Sequence, residues 1–242
     1  MILLALATAG PFPTVGVSLR DGRVVTAALA TGADRGRGVA PAVAGLLAAH
    51  GLTPADLEGI AVEVGPGSFT GTRVGVATAK GLSVGRGTPL VGVGSLEALA
   101  LVAGTARLPL LTLRDARNGE AYYALWHAPA AAADGTPLAE TPLPQRIARP
   151  ARGTAEAIRG VLAERGIAKA VLVGEDAERL AVTLPLTGVV AGVRTDPPGP
   201  EALVRLAWRR FAAGTVDDAD TLAPMYLQPS TAEARLRGER AP

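Results

Sequence analysis

The sequence predicts an α/β protein of two lobes, each a mixed sheet flanked by helices. Three observations carry this. The chain opens on three short apolar runs joined by turns, then alternates helix and strand. From residue 108 that order partly repeats. The chain has 242 residues, 48% of them hydrophobic, enough to fill one large core or two small ones.

Taken in order, 2–7 reads as a strand and Gly10-Pro11-Phe12-Pro13 turns it. A second strand spans 14–19, Asp21-Gly22 is a hairpin signal, and 23–30 returns as a third. Residues 32–38 form a polar loop with Asp34, Arg35 and Arg37. A helix over 39–50 tolerates Pro41 in its first turn and stops at Gly51. Thr53 opens a short helical turn. A fourth strand spans 60–64, a helix 70–86 and a fifth strand 90–93. Ser95 caps a helix to about residue 103, with Glu97 in its first turn.

The second pass starts with a strand over 108–114, a turn over 115–119 and a returning strand over 120–127. The Ala/Pro-rich 128–152 stretch has room for one or two edge strands. Thr154 caps a helix to about 165. A strand at 168–173, a short helix at 174–180, a weak strand at 187–191 and a helix at 201–213 complete it. The predicted lobes are 1–104 and 105–228, with a charged, frayed tail over 229–242.

Composition excludes several classes. Cysteine is absent, so there is neither a disulfide frame nor a thiolate metal site. The two histidines, His50 and His127, lie far apart, and any metal site would have to be built of oxygen ligands. Aromatics make up 3% of residues, which leaves little for base stacking, and no basic run reads as a nucleic-acid groove. Residues 1–6 are apolar but too short, and lack the basic flank, for a signal peptide. No apolar run reaches the ~18 residues of a membrane span. These features predict a cytoplasmic protein with no membrane partner.

The stretch Glu63-Val-Gly-Pro-Gly-Ser-Phe-Thr-Gly-Thr-Arg-Val-Gly75 is the centre of the first lobe. It is a buried strand, a glycine turn and a helix start, an arrangement that offers free N–H groups to an anion. It is not a Walker loop, because Gly71-Thr72 stands where Gly-Lys-Ser/Thr is required. The candidate anion or nucleotide contacts here are Gly67, Ser68, Thr70 and Arg73. The bland alternative is a tight turn made where two backbones approach closely.

The helix that follows contains Gly71, Gly75, Gly81 and Gly85, each disfavoured by roughly 1 kcal/mol against alanine. The simplest compensation is another helix packed very close. The helix over 39–49 has no charged residue, although a helix on the outside of a sheet should show polar groups to water. A partner interface is therefore expected at Val39, Ala42, Val43 and Leu46 with Gly71, Gly75, Thr78 and Leu82. The alternative is that an alanine-rich composition makes every helix look apolar.

A duplicated lobe of this order suggests the actin-like ATPase and sugar-kinase architecture, in which nucleotide lies between the lobes and the first hairpin of each approaches phosphate. In the second lobe that hairpin brings Asp115, Arg117 and Glu120, candidates for a charged ligand or else turn salt bridges. In the first lobe Ala7 stands where a magnesium-binding carboxylate is needed. No serine triad is visible, since the residue two beyond Ser68 is Thr70, not glycine. No catalytic and no metal-binding residue is assigned.

Three ordered motifs resemble one family. Gly65-Pro-Gly-Ser-Phe-Thr-Gly-Thr-Arg73 with Val74-Gly75, then Asp115-Ala-Arg117-Asn-Gly-Glu120-Ala-Tyr122, then Pro224-Met-Tyr226-Leu-Gln-Pro-Ser-Thr-Ala-Glu233 are similar to the hallmarks of the bacterial TsaB (YeaZ) proteins. The resemblance implies two actin-like lobes (the ribonuclease-H-like, or ASKHA, fold) and a role in making threonylcarbamoyladenosine in tRNA. It implies a non-catalytic subunit that binds and supports a TsaD-like transferase, with a TsaE-like ATPase as third member, pairing with itself as an alternative. tRNA is met indirectly through the complex, and ATP or ADP only at the interface with a partner. The sequence departs from the family pattern at Leu6-Ala7-Thr8, usually Ile-Asp-Thr, and at Asp34-Arg-Gly-Arg-Gly38, where His and Ser are common. The rival readings are an ATP-dependent kinase or ATPase of the same fold, and a homodimeric binding module.

Overall fold

A computed structural model describes residues 1–30, 38–131, 140, 142–186, 188–195 and 197–227. The expected polar loop over 32–38, apart from Gly38, and the charged tail lie outside these residues. The first sheet is built from β1 (Leu3–Ala7), β2 (Thr14–Ser18), β3 (Val24–Ala28), β4 (Gly59–Gly65) and β5 (Leu90–Gly94), in the order β3-β2-β1-β4-β5. The second contains β6 (Leu110–Arg117), β7 (Glu120–His127), β8 (Gln145–Gly153), β9 (Ala170–Val173) and β10 (Val190–Arg194), in the order β10-β9-β6-β7-β8. Read from its other edge the second order is the first again. In each sheet the first three strands pair antiparallel and the last two run parallel to the first. The duplication read from the sequence is thus a repeated topology, the two-lobed actin-like arrangement.

The helices are α1 (Val39–Ala49), α2 (Phe69–Val84), α3 (Ser95–Val102), α4 (Ala155–Glu164), α5 (Ala177–Thr183) and α6 (Pro200–Ala212). Strand alternation sorts them into layers. Leu4, Leu6, Val15, Val17, Ile60 and Val62 face α1 and α2. Leu3, Ala5, Ala61, Val91 and Val93 face the opposite way, onto α6 and onto Ala98 and Leu101 of α3. Leu96, Leu99 and Ala100 of α3 pack on Leu110, Ala124 and Trp126 of the second sheet. Its far face, with Leu111, Leu113 and Leu125, is covered by α4 and α5. The molecule is five layers deep, and α3 is buried from both sides.

Several local expectations change. Ser95 is the first residue of α3, preceded by Gly94 as cap, and its buried Oγ has no hydrogen-bond partner among the described residues. β6 runs on through Arg117, so the turn shrinks to Asn118-Gly119. Arg117 and Asn118 adopt φ of 64° and 53°, and the register shifts between Asp115 and Arg117. α5 and β10 start about three residues later than the sequence suggests.

The partition of the chain also differs from 105–228 as one lobe, because α6 lies on the first sheet. The segment after it straps the same sheet: Asp217 N donates to Leu90 O (2.8 Å), Gly92 N to Asp217 Oδ2 (2.7 Å) and Met225 N to Val64 O (2.7 Å). Arg210 holds Asp217 with contacts of 2.8 and 3.1 Å.

The glycines of α2 have a different cause from the one expected. A Cβ on Gly71 would lie 2.1 Å from Thr8 O, and one on Gly75 would lie 2.2 Å from Thr8 Oγ1. The close neighbour is the end of β1, in the same chain, and not another helix. A Cβ on Gly81 would have nothing within 4 Å. Chemical denaturation should separate the two kinds. Gly71→Ala is expected to lose at least about 1–3 kcal/mol through forced backbone movement, whereas Gly81→Ala should gain about 0.5–1 kcal/mol.

Acid should loosen the strap. Burial pushes the Asp217 carboxyl up, but the Arg210 hydrogen bonds and the Gly92 amide outweigh it and hold its pKa below the ordinary aspartate value. A depressed folded pKa gives a contribution that is complete above the ordinary value and is lost as pH falls through the lower, folded one. Hydrogen exchange at the Gly92 amide should therefore stay slow down to about pH 4 and accelerate below it. Asp217→Asn should abolish that dependence.

Candidate functional site

The lobes meet where β1, β4 and β6 end. In the otherwise apolar β4, Glu63 is 1% exposed. From the second lobe Arg114, 6% exposed, points at it. Its Nη1 lies 2.9 Å from Glu63 Oε1 and its Nη2 lies 2.7 Å from Glu175 Oε1, just beyond β9. Nη1 also donates to Pro66 O (3.2 Å), and Ala9 N donates to Glu63 Oε2 (2.8 Å). Burial alone would lower the guanidinium pKa, but the two carboxylates more than reverse this and hold it above its ordinary value. Two buried carboxylates share one cation, and a backbone amide makes up part of the difference.

The glycine loop closes over this trio. A Cβ on Gly67 would lie 2.5 Å from Ala9 O and 2.8 Å from Arg114 Nη1. Ser68 N donates to Ala9 O (2.8 Å), and Ser68 Oγ caps α2 by accepting from Gly71 N (3.2 Å). Two amides on which an anion would depend are thus engaged with the chain's own oxygens. Thr70 is exposed. Arg73 turns outward, its guanidinium 3.7 Å above the Phe69 ring and its Nε donating to Tyr226 OH (2.6 Å). Gly67, Ser68, Thr70 and Arg73 therefore do not converge on one centre. The loop is the close-approach turn that the sequence leaves as its alternative.

The β6–β7 hairpin gives the same answer. Asp115 accepts from Arg117 N (2.7 Å) and pairs with Arg179 of α5 (2.9 Å), while Glu120 pairs with Arg152 of β8 (2.5 Å). Asp115, Arg117 and Glu120 are spread over three separate contacts. Sequence reasoning misses Glu63, Arg114 and Glu175. The available signal is a charge placed inside an apolar strand, which must be paired to be buried.

A magnesium nucleotide does not fit this cleft. Its phosphates would lie between the first hairpins of the lobes, but those hairpins already touch through the trio. A Cβ on Gly10 would be 3.2 Å from Glu175 Oε1 and 3.3 Å from Arg114 Nη2. The end of β1 offers Ala7, and the nearest carboxylates are committed to Arg114.

The interface candidates divide. Val39, Val43 and Leu46 are buried against the first sheet, and Gly71 and Gly75 against β1, so the core uses them. Ala42, Thr78 and Leu82 are half-buried. The outward face of α1 consists of Ala40, Pro41, Ala44, Gly45, Ala48 and Ala49, and that of α2 includes Ala77, Gly81 and Val84. It is free of charge along α1.

Removing one member of the trio leaves a buried charge unmatched. Arg114→Met should cost about 3–5 kcal/mol in unfolding free energy. The triple variant Glu63→Gln, Arg114→Met, Glu175→Gln should recover most of that loss, and urea titration of both variants reads the difference.

Relatives match this chain in sequence over part of its length. A family model described as TsaD: tRNA N6-adenosine threonylcarbamoyltransferase matches residues 36–128. The tRNA threonylcarbamoyladenosine biosynthesis protein TsaB of Bacillus subtilis is 36% identical over 128 residues, covering 52% of this chain and 55% of that protein. TsaB of Escherichia coli is 37% identical over 101 residues, 37% of this chain and 43% of that one. The tRNA N6-adenosine threonylcarbamoyltransferase of Paracoccus denitrificans is 40% identical over 117 residues, but the match spans only 31% of its length. The chain spans about half the length of the curated TsaB relatives it matches. Solved structures extend the likeness across both lobes. YeaZ from Pseudomonas aeruginosa superposes with a TM-score of 0.69 at 25% identity, covering 93% of this chain and 99% of that one. A second Pseudomonas aeruginosa structure, described as similar to peptidase YEAZ, has a TM-score of 0.72 at 22% identity and covers 94% and 99%, which speaks for the fold. Part of the sequence is shared with transferase and TsaB alike, the YeaZ fold is matched across both lobes, and together the likeness in sequence and in fold is to the TsaB (YeaZ) family.

Proposed function

We propose that this chain is a non-catalytic subunit of the machinery that forms threonylcarbamoyladenosine in tRNA, and that it acts by binding and supporting a TsaD-like transferase. The observation that carries the reading is the outward face of α1 and α2. Along α1 it presents only Ala, Pro and Gly to solvent, beside Ala77, Gly81 and Val84 of α2. Such a surface gains little from water and lets a second helical pair approach closely. Val39, Val43 and Leu46 support it from beneath by anchoring α1 to the sheet. In this reading a TsaE-like ATPase is the third member, self-pairing uses the same face when no transferase is present, and tRNA is met through the complex.

The locked cleft supports the absence of chemistry in this subunit. A kinase or ATPase of the fold needs a carboxylate at the end of β1 and room between the hairpins. Here Ala7 occupies the first position and the Glu63–Arg114–Glu175 trio the second. Any ATP or ADP belongs at the interface with the partner.

Gly45 is the test position, since it is exposed and a side chain added there would meet nothing within 4 Å of its Cβ. Gly45→Arg should leave thermal unfolding unchanged or slightly raised. In calorimetric titration against a TsaD-like protein, it should weaken association by roughly 100-fold, about 2.7 kcal/mol. Wild-type protein that binds neither the transferase nor a second copy of itself would sink the proposal.

A further inference from the structure

Two half-exposed aromatic rings stand side by side at the start of α2. Phe69 is 53% exposed and Tyr226, at the end of the strap, 48%. Their centroids are 5.9 Å apart and the rings are tilted by 40°. Arg73, one helical turn beyond Phe69, reaches both. Its guanidinium lies 3.7 Å above the Phe69 ring and 5.5 Å from the centre of the Tyr226 ring, and its Nε donates to Tyr226 OH (2.6 Å).

The chain has three phenylalanines and three tyrosines, and one of each is left half in water here. Aromatic surface so placed gains by being covered. The stack and the Nε hydrogen bond fix the plane of the guanidinium. The bond to Tyr226 uses Nε, so the Nη1–Nη2 edge is the part of the fork suited to the two oxygens of a carboxylate. The stack also adjoins the outward face of α1 and α2, where Ala40, Ala44 and Ala48 offer area without direction. RNA fits this place less well. It needs a row of cations for its phosphates. The outward residues of α1 carry no charge, and Lys80 of α2 is turned to the strap, donating to the carbonyls of Asp220 (3.1 Å) and Leu222 (3.0 Å).

We infer that Phe69, Arg73 and Tyr226 are the energetic centre of the partner contact, and that their occupant is a folded protein surface presenting an aspartate or glutamate to Arg73 and an apolar side chain to Phe69. The inference rests on the reading that a TsaD-like transferase binds this face, and it states what that transferase presents there.

The test is calorimetric titration of the full chain against a TsaD-like transferase. Wild type is compared with Phe69→Ala, Arg73→Ala, Arg73→Glu and a distant control, Arg165→Ala, just past the end of α4. Phe69→Ala and Arg73→Ala should each weaken binding about 30-fold, which is about 2 kcal/mol, the size that marks a central contact. Arg73→Glu should weaken it further, because it sets like charges against each other. Arg165→Ala should change nothing. The three altered positions are exposed, so melting temperatures should stay near that of wild type, which separates a lost contact from a lost fold. If wild type binds the transferase and both alanine variants bind it equally well, the inference fails while the proposed function stands. Wild type that does not bind the transferase overturns both. Arg73→Glu that binds at least as well as Arg73→Ala removes the partner's carboxylate and overturns the inference. So does a Phe69→Ala variant that keeps its affinity for the transferase but loses self-association, or binding to a single-stranded RNA oligonucleotide, because the stack then belongs to a second copy or to RNA.

Discussion

Everything at the junction of the lobes depends on one guanidinium with two carboxylates. Arg114 reaches out of the second sheet to Glu63 in the first and to Glu175 in its own lobe, all three shielded from water. A buried ion pair is weak evidence for stability, because desolvation offsets the attraction. Removing one partner, however, is strongly destabilising, because it leaves a buried charge uncompensated. Glu63 buried without Arg114 is unfavourable, so the arrangement that pairs them is favoured over one that parts them. The glycine loop, the β1–β2 turn and the end of β6 are then packed around that contact, with Gly67 and Gly10 small because a guanidinium and a carboxylate lie against them.

The same contact sets the character of the cleft between the lobes. In a two-lobed fold the cleft is useful if it opens and if its walls hold oxygen ligands for a metal. Here the walls are joined by direct charge pairing between Arg114 and Glu63 and by the hydrogen bond from Arg114 Nη1 to Pro66 O. The sequence hints at this only through Ala7, a missing group. The residues that fill the space, Glu63 and Arg114, are ordinary members of their strands until the lobes are assembled.

That marks the limit of what is legible in advance. Strand alternation, Asn118-Gly119 and the apolar helix over 39–49 reveal nearly every element, because those signals are local. The repeated topology is legible because the order of elements repeats. The site is not, because Glu63, Arg114 and Glu175 are separated by about fifty and sixty residues and have no shared periodicity. The glycines of α2 do signal a close approach. Their neighbour is a strand end where a helix is the simplest expectation, since nothing local says that Thr8 lies beneath Gly71 and Gly75. α6 packs on the lobe opposite to the one its place in the chain suggests, for a related reason: its apolar face fits either sheet, and only the chain's return to the first sheet decides.

That return has a consequence for recognition. The first sheet is covered by α1 and α2 on one face and by α6 and α3 on the other, with the strap closing its β5 edge. The strap ends at Tyr226, against the Arg73–Phe69 stack at the start of α2. Two of the family-like motifs, distant in sequence, therefore meet at one end of the helical face that α1 and α2 share. A smooth surface of alanine and glycine offers a partner area but little orientation. Phe69 and Tyr226, both about half exposed, with a guanidinium between them, offer the directional contacts that such a surface lacks. Because the strap is anchored at Asp217 and Met225 before it reaches Tyr226, that end of the face is held in place, and under the proposed function association there would not first have to order the chain.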